Sequence, residues 1–591
     1  MNKKELYNKI LQLDGLTNEE KSELLGLLRK QKKYGLVWEN KPEDVEERLR
    51  DELPVLIEDA TKAIISDNAN APNHILIEGD NLEALTALAY THEGKIDIIY
   101  IDPPYNTGNK DFVYNDRIVD KEDSYRHSKW LSFMNKRLRI AKQLLSDRGV
   151  IFISIDDNEQ AQLKLLCDEV FGLNGFIANV IWKHTQQSKN DELYFSRQYN
   201  YTLCYAKQKE CLPRFYFKRT DDDNINYKNP DNDPKGLWRS GDVRSPNFRK
   251  TLCFDIISPN GEIIHAPKNG WRWSEDSIKE KIETGEIVFK PDGTGIIRKI
   301  YLCDQKGRTP ENLWEGPRFG TTRQAASTIK DIFNGVQVFD TPKPHELIMR
   351  IEEISSTHNS TILDFFAGSG TTLHATMQLN AEDGGHRKCI LVTNNENNIC
   401  EEVTYERNKR VINGYTTPKG EEVAGLKNNT LRYYRTSFVG RSRSMKNMRQ
   451  LMNLSTDMLC IKEDLYTEQT KFGKQPTYKN VFRYFDDGKK RMMIIYKEEA
   501  VPLLADLIRK TDYEGKMHVY VFSPSEDPWE GSFEEVQEKV QLCALPQAIY
   551  NAYRRILPKK KDVVLEQENN ATSNANKAFN DMFNFDEEED A

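Results

Sequence analysis

From residue 73 onward, short unbroken apolar runs alternate with amphipathic stretches. Residues 74–79 (HILIEG), 95–101 (KIDIIYI) and 150–155 (VIFISI) are apolar runs with polar borders, and helical spacing fills the intervals, most extensively over 125–146. A run that is apolar at nearly every position, rather than at every second one, suits a strand covered on both faces, as in a parallel sheet flanked by helices. Two further β-rich runs follow at 177–182 and 199–206. From about 207 to 331 the rhythm is lost and Asn, Asp, Pro, Gly, Trp and Arg dominate. It resumes with a helix at 344–354, a strand at 361–365, a helix at 371–379 and a strand at 389–393. The pattern predicts one α/β sheet assembled from two separated segments, with a module inserted between them.

This rhythm sets the expected boundaries. Residues 1–72 read as a helical region, with Leu6, Ile10, Leu11, Leu24, Leu27 and Leu28 at helical spacing among Lys and Glu. The sheet's two halves are 73–206 and 332–435, and the insertion is 207–331. Residues 436–561 form a smaller α+β unit, with strands near 478–484, 492–496 and 518–522 and a helix near 500–509. The polar, Asn/Glu-rich end at 562–591 is expected to be disordered.

Composition narrows the class. The 591 residues hold 38% hydrophobic and 30% charged residues, and no apolar run reaches the roughly 20 residues of a membrane span. The start lacks a signal peptide's apolar stretch, so a cytoplasmic protein is expected. Nine cysteines are scattered without a C-x-x-C pair or a Cys/His cluster, which argues for reduced thiols and no metal. The formal charge of -8 does not exclude nucleic acid, because affinity follows a local basic surface. Part of the acidity lies at 586–590.

Two loops carry candidate chemistry. Asp102-Pro103-Pro104-Tyr105 directly follows KIDIIYI, at the strand's carboxyl end, which is the rim where open α/β sheets bind ligands. Two prolines fix the turn and withhold two N–H donors, which leaves carbonyls free to accept. An amine flipped out of a DNA stack needs a carboxylate and a carbonyl as acceptors, and an aromatic face such as Tyr105 for its base. Taken alone, the tetrapeptide is equally a turn after a strand. The second loop, Phe365 to Thr372 (FFAGSGTT), lies between the strand TILD and a helix beginning near Thr371. Its glycines let backbone approach a nucleotide-like ligand at a helix N-terminus. Leu373 stands where a dinucleotide fingerprint would have its last glycine, which disfavours NAD or FAD.

Further candidates sit at neighbouring strand ends. Asp80 ends the strand before the catalytic one, and Glu396 follows CILVTNN, with Asn394 and Asn395 able to share its role. Each alone reads as a solvated carboxylate. Lys343-Pro344 opens a proline-initiated helix. Trp130 to Met134 reads as core helix with aromatics that could face a base pocket.

The string IYIDPPYNTG resembles the catalytic motif of amino-methyltransferases, in the longer form of the modification subunits of Type III restriction systems. DFFAGSGTT resembles their F-x-G-x-G cofactor motif. GVIFISIDDNE and FSRQYNYTLCYAK are similar connecting phrases, and the order, catalytic motif first and glycine motif last, is like that of the β group. The resemblance covers roughly residues 74–435. It implies a Rossmann-like seven-stranded methyltransferase sheet, with a DNA target-recognition domain inserted at 207–331 and a C-terminal α+β domain that the resemblance does not reach.

The implied activity is S-adenosylmethionine-dependent methylation of adenine N6 in a specific DNA sequence. Asp102, Pro103, Pro104 and Tyr105 would then be catalytic. Asp80, Asp364, Phe366, Ala367, Gly368, Gly370, Thr371, Asn395, Glu396 and Lys343 would surround the cofactor. The implied partners are double-stranded DNA, a second copy in a homodimer, and an ATP-dependent restriction subunit. The insertion interleaves Arg and Lys with Trp238, Trp271, Trp273 and Trp314, as a DNA surface would, and equally as a solvated surface over a small core would. Three alternatives stay open: cytosine N4 as target, although Ser in place of Asp102 is commoner there; an RNA substrate; and a recognition subunit without turnover.

Overall fold

The computed structural model describes residues 36–557, apart from Lys110, Asp116, Lys189, Asp191 and Glu526. The helices expected before residue 36 and the tail expected at 562–591 lie outside the described residues. The described chain divides into two compact units, one of them residues 213–311 together with 353–355.

In the larger unit the apolar runs become strands of one ten-stranded sheet. They are β1 (Glu52–Glu58), β2 (Asn73–Glu78), β3 (Ile96–Ile101), β4 (Leu145–Ile155), β5 (Phe176–Lys183), β6 (Tyr199–Ala206), β7 (Leu313–Trp314), β8 (Thr361–Asp364), β9 (Lys388–Thr393) and β10 (Thr430–Gly440). Their order across the sheet is β1-β10-β2-β9-β8-β3-β4-β6-β5-β7. All neighbours from β10 to β4 are parallel, and β6 runs antiparallel between β4 and β5. On β3 the consecutive Ile98, Ile99, Tyr100 and Ile101 are all buried although they alternate faces, as a strand covered by helices on both sides requires.

The helices that matter for the site are α1 (Asn81–His92), α2 (Arg126–Leu144), α3 (Thr322–Ile332), α4 (His345–Ser355), α5 (Thr371–Asp383), α6 (Glu406–Asn413) and α7 (Gln547–Arg554). β3 leads through α2 to β4 on one side, whereas β8 leads through α5 to β9 on the other. The two crossovers leave the β8-β3 pair in opposite directions, which opens a crevice at the carboxyl ends of those strands. Ile362 and Leu363 of β8 lie opposite Ile98 and Ile99 of β3, so the two loops named from the sequence leave one rim side by side.

Several boundaries shift. The seven strands from β2 across to β5 make the expected sheet, and β1, β10 and β7 extend it. The region expected to be helical up to residue 72 contributes β1, whose ELPVLIE pairs antiparallel along β10; a seven-residue apolar strand next to a charged helix was hidden by its surroundings. The expected insertion at 207–331 is too wide. β7 pairs in parallel with Ile181 and Trp182 of β5, its Trp314 is buried and stacked on Phe319 at 4.9 Å, and α3 also belongs to the larger unit. The compact insertion, residues 213–311, has a three-stranded antiparallel sheet built from Trp238–Gly241, Ile287–Phe289 and Ile296–Tyr301. Ile256, Ile264, Trp271, Ile278, Ile287 and Ile296 form its own core.

The division expected at 435/436 falls inside β10. Beyond it, β11 (Glu468–Gln469), β12 (Phe482–Asp486), β13 (Arg491–Ile495), β14 (Met517–Phe522) and β15 (Val540–Leu545) form a five-stranded sheet in chain order. This sheet is not a separate body: Phe522, Leu545 and Ile549 share a core with Leu85 and Leu88 of α1. Tyr553 of α7 donates to the Pro54 carbonyl of β1 at 2.8 Å.

Candidate active site

The crevice is an open cleft of about 880 Å³. On the β3 side it is walled by Asp102, Pro103, Pro104 and Tyr105, the residues at which the apolar strand gives way to its proline turn. The turn is pinned from behind. Trp130 of α2, fully buried, donates its indole N–H to the Pro104 carbonyl at 2.7 Å. Asn106 follows with φ 58°, a left-handed conformation that Asn tolerates. Its buried amide donates to Glu159 Oε1 at 2.5 Å and to the Arg126 carbonyl at 3.3 Å. Burial pushes the Glu159 carboxyl up to about 8.

Both oxygens of Asp102 are engaged. Tyr105 donates its hydroxyl to Oδ1 at 2.9 Å, and Lys343 donates its ammonium to Oδ2 at 2.5 Å. Burial, then the Asp102 charge, push the Tyr105 phenol well above its ordinary value, so it stays a donor. The Lys343 side chain is 10% exposed and its Nζ stands 5.1 Å from the centre of the Tyr105 ring.

The β8 side holds the glycine turn. Asp364 ends the strand and ties the turn down, accepting from Phe366 N at 3.0 Å and from Thr372 Oγ1 at 2.6 Å. Burial pushes its carboxyl up to about 7. Gly368 lines the cleft at φ +49°, and a Cβ there would meet the Phe339 ring at 3.3 Å. Gly370, at φ +72°, is needed for a different reason: a Cβ would lie 2.4 Å from the Asn408 amide of α6. Arg407 of α6 is buried beneath the turn and donates to Thr371 Oγ1 at 2.6 Å.

The sequence candidates therefore sort into two groups. Asp80, Asp102, Pro103, Pro104, Tyr105, Lys343, Phe366, Gly368 and Glu396 all line one cleft. Asp364, Ala367, Gly370 and Thr371 stand behind its wall and shape the turn. Asn395 caps the next helix, accepting from Cys400 N at 3.1 Å and Glu401 N at 3.2 Å, while Asn394 faces the cleft. Asp80 also has a local task, capping α1 through Leu82 N at 2.7 Å. Lys343, expected against a cofactor, lines the cleft and is bound to Asp102.

Phe133, within the stretch whose aromatics were expected to be able to face a base pocket, completes the wall together with Arg137 and Asp156, which the sequence reading missed. Phe133 packs between Phe112 and Phe366, at 5.3 and 5.8 Å between ring centres. The buried Arg137 guanidinium lies 3.6 Å from the Phe133 ring centre and donates to Glu43 Oε1 at 2.9 Å. Phe133 and Arg137 are spaced i,i+4 on α2, which was the available signal that they share a face. Asp156, at the end of β4, also lines the cleft, and burial raises its carboxyl. Chemically, the cleft joins a carboxylate corner at β3, which accepts an ammonium, to an aromatic slot at β8 flanked by the carboxylates of Asp80 after β2 and Glu396 after β9.

Residues 96–416 match the family model described as DNA methylase. The chain is 37% identical over 373 residues to the Type III restriction-modification enzyme StyLTI Mod subunit of Salmonella typhimurium, covering 57% of this chain and 55% of that protein. It is 33% identical over 424 residues to the EcoPI Mod subunit of Escherichia phage P1, covering 61% and 64%. The Type II methyltransferase M.KpnI of Klebsiella pneumoniae is 34% identical over 361 residues, covering 57% of this chain and 84% of its own. The match thus spans less than two thirds of the length of the two Mod subunits.

Proposed function

Because the chain belongs to the DNA methylase family, we propose that it methylates N6 of an adenine flipped out of double-stranded DNA at a specific sequence, using S-adenosylmethionine. The observation that carries this reading is that the proline turn and the glycine turn leave neighbouring parallel strands and line one cleft.

The β8 rim suits the cofactor. Gly368 leaves backbone open to the cleft where a side chain would crowd Phe339, Phe366 and Phe133 give an apolar wall, and Asp80 and Glu396 bring carboxylates for a nucleoside's hydroxyl and amino groups. When bound, the cofactor supplies an electrophilic methyl group. At the β3 rim, Asp102 accepts one N–H of the target amine. The second goes to the Pro103 carbonyl, since that of Pro104 is held by Trp130. Two fixed acceptors orient the nitrogen lone pair, and the carboxylate offsets the positive charge that grows on nitrogen during transfer. The Tyr105 ring offers the base a face. No strong general base is needed, because the proton becomes acidic once the nitrogen is alkylated.

The setting we propose is a modification subunit of a restriction-modification system, supported by the Mod subunits found among the relatives. In this setting it works in the cytoplasm as a homodimer and associates with a restriction subunit, and residues 213–311 read the DNA sequence. Single-molecule sequencing of host DNA tests the reading: N6-methyladenine at one motif is expected with the intact gene and is lost with Asp102→Ala. Methylation at cytosine N4, or none in DNA, overturns it.

A further inference from the structure

We infer that Lys343 is a built-in stand-in for the substrate amine: in the free enzyme its ammonium fills the acceptor corner of Asp102 and must be expelled when the target base enters. The inference rests on the reading of Asp102 as amine acceptor and extends it to how that corner is controlled.

An exocyclic amine that is to be methylated must donate an N–H to Asp102. Of the two carboxylate oxygens, Oδ1 already accepts from the Tyr105 hydroxyl at 2.9 Å and Oδ2 from Lys343 Nζ at 2.5 Å. The Lys343 nitrogen therefore presents N–H donors to the carboxylate from within the cleft, beside the same aromatic ring, as the substrate nitrogen would. The resemblance ends at charge. An ammonium left beside Asp102 would oppose the positive charge that develops on the substrate nitrogen, so the lysine cannot keep its place through the reaction. The pair is mostly sheltered, with Lys343 10% and Asp102 25% exposed, so giving it up costs more than breaking a surface ion pair. The chain brings the two together across 241 residues, from the loop ahead of α4 to the end of β3. A base that carries an amine exchanges one donor for another at the carboxylate, and a base without an amine leaves the lysine in place.

The test compares duplexes bearing the sequence that the wild-type enzyme modifies, with either adenine or purine, which lacks the amine, at the target position. Binding is measured with S-adenosylhomocysteine present to prevent turnover. In the wild type, adenine is expected to gain little over purine, because its amine displaces an equivalent donor. In Lys343→Met, whose side chain keeps the length and loses the charge, the preference for adenine is expected to rise about tenfold. In Lys343→Arg, which keeps a cation on Asp102, it should stay at the wild-type value. An unchanged or smaller preference in Lys343→Met, or an equal rise in both variants, overturns the inference. So does a tenfold loss of S-adenosylhomocysteine affinity in Lys343→Met, which would make the lysine a cofactor contact. Failure of the broader reading looks different: the wild type itself would then leave no N6-methyladenine in DNA.

Discussion

The indole nitrogen of Trp130 lies 2.7 Å from the carbonyl oxygen of Pro104. A helix after β3 thereby reaches back to the proline turn and, on the proposed reading, leaves the Pro103 carbonyl for the substrate. Trp130→Phe would keep the packing and remove the donor, leaving a carbonyl with its partner lost. The expected cost is about 1–3 kcal/mol of stability, together with a fall in kcat at unchanged cofactor affinity, because the turn is no longer held in register. Urea denaturation and methyl-transfer kinetics check this; a variant with wild-type kcat would show that the bond does not position the turn.

Asp102→Ala removes the charged acceptor. Methyl transfer should fall by at least about a hundredfold, while the far-ultraviolet circular dichroism and cofactor binding persist, since Asp102 lies at the β3 rim and the residues proposed for the cofactor follow β2, β8 and β9. Turnover near the wild-type rate would remove Asp102 from the mechanism.

The two glycines of the second turn separate binding from folding. Gly368→Val places a branched side chain in the cleft against Phe339 at a left-handed φ, and is expected to weaken S-adenosylmethionine binding by about tenfold or more. Gly370→Ala drives a methyl into the Asn408 amide behind the wall, and its main effect should be a lower melting temperature. Calorimetric titration and thermal unfolding of both variants give the comparison. A reversed pattern would refute the assignment of which glycine faces the ligand.

Asp364 makes stability depend on pH. Burial holds its carboxyl up to about 7 in the fold, against about 4 in an unfolded chain. Between these values the folded protein keeps a proton that the unfolded chain has lost, so this group's contribution makes unfolding easier as pH rises from about 4 to 7, and is flat above. Asp364→Asn retains an acceptor for Phe366 N and does not titrate. Relative to wild type it should gain stability between pH 5 and pH 8, as read by urea unfolding at a series of pH values. Parallel pH curves for the two proteins would rule out this role for Asp364.

What the sequence made legible was local. Ile98 to Ile101 announce a strand buried on both faces, the proline pair marks its end, and Gly368 and Gly370 mark a turn with positive φ. What it hid was pairwise. Nothing in the spacing of Lys343 says that it meets a carboxylate 241 residues away, and Trp130 reads as core because it is core, with its hydrogen bond set by a turn on another element. β1 was masked because ELPVLIE follows a charged helix and finds its partner only in β10. The limits of the insertion were blurred because β7 is a two-residue strand inside a Pro- and Gly-rich stretch and carries no periodicity of its own.

The adjacency of β3 and β8 also sets a schedule for biosynthesis. During translation the ribosome releases β3 long before β8, and until that later strand emerges β3 exposes an open parallel edge that nothing earlier in the chain fills. Long-range pairing of this kind is slow. A nascent or truncated chain ending before residue 361 would hold the proline turn without the glycine turn beside it, so on the proposed reading the half-made protein has no place for a methyl donor and no means of marking DNA.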